Sequence, residues 1–132
     1  MNRIAPILAA ALMVAGCATG GGLGIAASHL DSSAHRFYEE VYYGRGTGHA
    51  ADDAAMLAEA ATDFSQAVDR GRSREELQPS FDRVADRYHH LRRQVESRDT
   101  RYSDSALAFE RVTDAYLDVD RAMNHPDSRY HE

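Results

Sequence analysis

Four stretches of this chain place apolar residues at alternating steps of three and four. The first offers Leu30, Ala34, Phe37 and Val41. The second offers Leu57, Ala61, Phe64 and Val68, the same residue types at the same spacing. The third runs Leu77, Phe81, Val84, Tyr88, Leu91, Val95, and the fourth Phe109, Val112, Tyr116, Val119, Met123. Such steps keep one face of a helix apolar while the rest meets water. No stretch alternates with period two for long enough to suggest a strand. Narrow apolar stripes on short helices are buried against one another, so the spacing predicts an all-α fold, an antiparallel up-down four-helix bundle over residues 28–125.

The breaks between stripes agree with that reading. Ser73 and Glu76 have the spacing of a capping box, and Ser28 with Asp31 resembles one. Asp52 and Asp53 favour the positive end of the second helix. The glycines of residues 44–48, Gly71, and the polar run 97–103 separate the helices, and Pro126 stops the last one, leaving 126–132 as a frayed tail. Pro79 falls inside the third stripe, where it predicts either a new helix start or a kink.

Residues 81–93, FDRVADRYHHLRR, return as residues 109–121, FERVTDAYLDVDR. Repeated residues could be two halves of a site or one packing solution used twice. Phe, Val and Tyr of both copies fall on the apolar stripe. Arg83 with Asp86, and Arg111 with Asp114, stand three apart and could pair on one helix surface. The residues best suited to chemistry, His89 and His90, correspond to Leu117 and Asp118 and are not repeated. The repeat therefore reads as packing.

The N-terminal segment has a different character. Arg3 precedes an apolar run from Ile4 to Ala15, shorter than the roughly 20 residues that span a bilayer and suited to the core of a secretory signal. It ends in Val14-Ala15-Gly16-Cys17. This resembles the lipobox of bacterial lipoproteins, and the resemblance covers the first seventeen residues only. It implies that residues 1–16 are removed as a signal peptide and that Cys17 becomes an acylated first residue, with covalent lipid as the one attached group and no other cofactor. It further implies attachment to a membrane through the lipid, and Ala18 after the cysteine favours the periplasmic face of the outer membrane. Residues 17–27, glycine-rich, read as the lipidated Cys followed by a flexible tether with a reach of roughly 17–19 Å. Cys17 is the chain's one cysteine, so acylation leaves no thiol for a disulfide, a nucleophile or a thiolate metal site.

Charge excludes one class of partner. The formal net charge is −6, and all 15 basic residues are arginine. An acidic chain of this kind is poorly suited to neutralising phosphates, so no nucleic-acid partner is expected. Along the chain the third stripe is arginine-rich and the second and fourth are acidic, as for neighbours that pair.

Candidate sites are few. His49 with Asp52 and Asp53 is the best metal candidate, with His and Asp one helical turn apart. One imidazole and two adjacent carboxylates are a weak set, so no metal is expected. Met123 on a stripe and Met56 beside one could suggest a haem, but no histidine is clearly inward. There is no GxSxG, no phosphate loop with its lysine and no spare cysteine, so no enzyme is expected. Tyr42, Tyr43 and Arg45, at a helix end beside a glycine loop, are the candidate contact for an envelope protein partner. The expected role is a non-enzymatic envelope scaffold, accessory or binding module. The alternative is a metal- or acid-responsive periplasmic sensor using the histidines.

Overall fold

The computed structural model describes the backbone of residues 5–44, 48–97 and 102–124, and side chains from residue 22 onward within those stretches. It contains four helices: α1 (Ala5–Tyr43), α2 (His49–Asp69), α3 (Arg74–Glu96) and α4 (Ala106–Asn124). Among the described residues there is no strand. Helix α1 packs along both α2 and α4, and α2 packs along α3. Helices α3 and α4 approach each other mainly through large side chains rather than close backbones. The four-helix bundle predicted from apolar spacing is the fold observed.

The expected stripes form the core. Leu30, Ala34, Phe37 and Val41 of α1 are buried, as are Leu57, Ala61 and Phe64 of α2, Leu77, Phe81, Val84, Tyr88 and Leu91 of α3, and Phe109, Val112, Tyr116, Val119 and Met123 of α4. Val68 and Val95, at stripe ends, are partly buried against them.

The rings of this core read the same from either end. Phe37 meets Phe109 at 5.3 Å with planes tilted by 57°, and Phe64 meets Phe81 at 5.9 Å and 53°. Phe109 then stacks on Tyr88 at 5.7 Å, and Phe81 on Tyr116 at 6.1 Å, both with planes 10° apart. Tyr88 and Tyr116 close the ladder at 4.0 Å and 18°. An approximate twofold between these two tyrosines exchanges α1 with α2 and α3 with α4. Two antiparallel copies of one segment place each Phe against the other copy's Tyr, which is why the repeat folds back on itself. Stacked and tilted pairs of this kind contribute about 0.5–1.5 kcal/mol each beyond their buried area.

The repeat departs from itself where the phenols need partners. The hydroxyl of Tyr88 donates to Thr113 Oγ1 at 3.2 Å, and Tyr116 Oη lies 3.4 Å from His89 Nε2. The corresponding residues in the other copy are Ala85 and Leu117. Burial of the Tyr116 phenol, with the negative Asp120 and with Tyr88 nearby, pushes its pKa up to about 12. Between pH 10 and 12 the unfolded chain therefore releases this proton while the folded chain keeps it. The contribution is complete below pH 10 and is lost as pH rises through 12. The denaturation midpoint is expected to fall across that window, and to fall less in Tyr116→Phe. Urea titrations of both proteins at pH 9 and pH 12 check this, and the chain has no lysine to titrate alongside.

Three local expectations change. Residues 18–27 are not a tether separate from the bundle: α1 runs continuously through them. Leu23 is partly buried, and Ala26 and Ala27 are buried. With Leu30 these residues continue the apolar stripe backward, and their burial outweighs the low helix propensity of the glycines. Ser28 consequently lies within a helix and caps nothing. Arg83 does not pair with Asp86 but reaches Asp63 of α2 at 3.7 Å, joining the arginine-rich helix to an acidic neighbour.

The boundaries at Ser73 and Gly71 follow the reading from sequence, while the expected stop at Pro126 and the tail 126–132 lie outside the described residues. Ser73 caps α3, its Oγ accepting from Glu76 N at 3.3 Å. Helix α3 continues through Pro79, so no separate helix starts there. Helix α2 ends in a Schellman turn: Gly71 N donates to Val68 O, and Arg72 N to Ala67 O. Gly71 adopts φ 72°, a conformation that glycine takes without a Cβ penalty.

Candidate functional site

The sequence candidates cluster at the end of the bundle where α1 ends and α2 begins, and the structure separates them. His49 and Asp52 are exposed on the first turn of α2. Asp53 is turned away from both toward α3. Its Oδ2 lies 3.3 Å from His90 Nε2 and accepts from Gln94 Nε2 at 3.4 Å. Among the described residues no group of three His, Cys, Asp or Glu side chains is placed to hold a metal. The spacing that suggested His49–Asp53 as a ligand pair serves instead to tie α2 to α3.

Tyr42 and Tyr43 end α1 with much of their surface in water, 55% and 83% exposed. Their rings stand edge to face at 5.1 Å, and Tyr38, half-buried, lies 5.9 Å from Tyr42. An open depression of about 530 Å³ extends from Tyr43 along α1 past Glu40, Glu39, Arg36 and His35. Arg45, the third member of the expected contact, lies outside the described residues. His125 and His131 of the tail lie outside them also. The Cys17 backbone belongs to α1, but its side chain is outside the described set.

Of the remaining histidines, His35 Nδ1 is 2.8 Å from the Asp31 carbonyl and 3.0 Å from its Oδ1. Asp31 Oδ1 also accepts from Thr62 of α2 at 2.6 Å. His89 packs edge-on against Tyr88 and Tyr116. Met123 is buried in the core, while Met56 is 42% exposed. These contacts assign His35, His89 and His90 to helix surfaces and seams.

One polar chain was not foreseen from sequence. Gln94 Nε2 donates to Asp53 and approaches His90 Nε2 at 3.1 Å, while Gln94 Oε1 accepts from the Tyr102 hydroxyl at 2.6 Å. Tyr102 is 1% exposed and stacks on Phe37 at 6.1 Å. The chain thus runs from the α2 surface, across α3, into the core below the α3–α4 connection. Its signal was present in the spacing: Tyr102, Ser105, Phe109, Val112 and Tyr116 extend the stripe of α4 backward in steps of three and four. The polar surroundings of Tyr102 hid it as a loop residue.

No helix among the described residues is long and apolar enough to cross a membrane. No family model, no curated protein and no solved structure matches this chain.

Proposed function

We propose that this chain is a bacterial lipoprotein: Cys17 carries covalent lipid, and the helical bundle stands on the periplasmic face of the outer membrane as a non-enzymatic scaffold, accessory or binding module. The observation that carries the reading is Val14-Ala15-Gly16-Cys17 at the end of an apolar run of signal-peptide length. The course of α1 sets where an anchored bundle would stand. Six helical residues from Cys17 to Leu23 span about 9 Å, far less than a free tether would reach. An anchored bundle would therefore sit close to the headgroups. Its far end would carry the exposed rings of Tyr42 and Tyr43, an aromatic surface suited to an envelope protein partner.

The test is incorporation of labelled palmitate by cells expressing the full chain or Cys17→Ala. The expected result is label on the parent chain and none on the variant, with the variant leaving the membrane fraction. Equal labelling of the two would overturn the assignment. Multiple acyl chains, each stabilised by about 0.8 kcal/mol per buried CH₂, make that redistribution close to complete.

A further inference from the structure

The hydrogen bonds around His90 cannot all exist in one protonation state. A neutral imidazole with its proton on Nδ1 offers Nε2 as an acceptor, which suits the Gln94 amide nitrogen at 3.1 Å. The two hydrogens of that amide then serve His90 and Asp53, and Gln94 Oε1 accepts from Tyr102. A protonated imidazole carries a hydrogen on Nε2 as well. That hydrogen suits Asp53 Oδ2 at 3.3 Å, but it turns the contact with the Gln94 nitrogen into donor against donor. The relief available is to turn the amide over, a move between nearly isosteric ends. Gln94 then presents Oε1 to His90 and its NH₂ to the Tyr102 oxygen, and it gives up its bond to Asp53 Oδ2, which takes the His90 hydrogen in exchange.

We propose that Asp53, His90, Gln94 and Tyr102 form a proton-operated relay, in which protonation of His90 inverts the Gln94 amide and takes the Oε1 acceptor away from the Tyr102 hydroxyl. Histidine is the side chain suited to such a trigger between pH 5 and 8. His90 is reachable by solvent, its side chain being 44% exposed, and Asp53 is 21% exposed. Facing His90 are Asp53 from α2 and Gln94 one turn along α3. Asp86 and Arg87 about one turn before it, and Arg93 about one turn after it, are the charged residues of α3 nearest in register, and Tyr102 is the titratable group reached from the α3–α4 connection. Tyr102 is the ring that ends the aromatic ladder on Phe37, and its carbonyl accepts from Ser105 N at 3.1 Å just before α4 begins. A surface proton is thereby coupled to the packing of the bundle end that also carries Tyr42 and Tyr43. The relay is independent of the lipid anchor.

The experiment is NMR titration of the full chain in detergent micelles from pH 8 to pH 5. It follows the His90 ring, the Gln94 side-chain amide and the Tyr102 ring. The expected result is one shared midpoint for all three. In His90→Gln the Gln94 and Tyr102 shifts vanish while the other histidines still titrate. In Gln94→Met, whose side chain is of similar length but carries no amide to invert and no proton to titrate, His90 still titrates and Tyr102 is silent. The relay is overturned if Tyr102 stays still while His90 titrates in the parent chain. It is equally overturned if Tyr102 follows pH in His90→Gln.

Discussion

Phe64→Ala is expected to lower folding stability by about 3–5 kcal/mol, the range for removing a fully buried aromatic side chain. Phe64 is 0% exposed and anchors one end of the ring ladder against Phe81. The approximate twofold places Phe37 in the same position at the other end, also 0% exposed. Phe37→Ala is therefore expected to cost a similar amount, with the Tyr102 contact as its additional loss. Since a small domain has only about 5–15 kcal/mol in total, either change removes a large share. Urea denaturation followed by helical circular dichroism measures both. A cost under about 1 kcal/mol for Phe64→Ala would place that ring outside the core.

Tyr88→Ala is expected to be comparably severe, at about 3–5 kcal/mol by the same cavity argument. Tyr88 is 2% exposed and contacts Phe109, Tyr116 and His89. Tyr88→Phe keeps the rings and removes only the donor to Thr113, so it should cost about 1 kcal/mol. The sharper result concerns coupling. Tyr88 and Tyr116 touch at the centre of the ladder, so the double alanine variant should cost less than the sum of the single ones by at least 0.5 kcal/mol. Additive losses would mean that the two copies of the repeat do not support each other.

Most of the fold was legible because one rule governed it. Steps of three and four marked the buried face of every helix, and Phe81, Val84 and Tyr88, like Phe109, Val112 and Tyr116, are all buried. The repeat announced packing, although its antiparallel ring exchange became visible only when α3 was laid against α4. The beginning of α1 was misjudged because local and tertiary preferences compete there. Three successive glycines disfavour helix by about 1 kcal/mol each relative to alanine, while Leu23, Ala26 and Ala27 are held by burial that no local window reports. The candidate metal residues were brought together by spacing alone. In the structure Asp53 faces α3 and His49 faces water, because residues one turn apart share a face only approximately and Asp53 found better donors. The Asp53–His90–Gln94–Tyr102 chain joins residues up to 49 positions apart in sequence. Only the pairing of α2 with α3 and the inward turn of Tyr102 bring them into reach.

The proposed role rests on one chemical event at one residue, and mass spectrometry reads it directly. The chain isolated from membranes of its producing cells, digested and analysed at its N-terminus, should begin at Cys17 and carry the added mass of acyl chains there. A chain that retains Met1, or is cut elsewhere with Cys17 unmodified, would contradict the account.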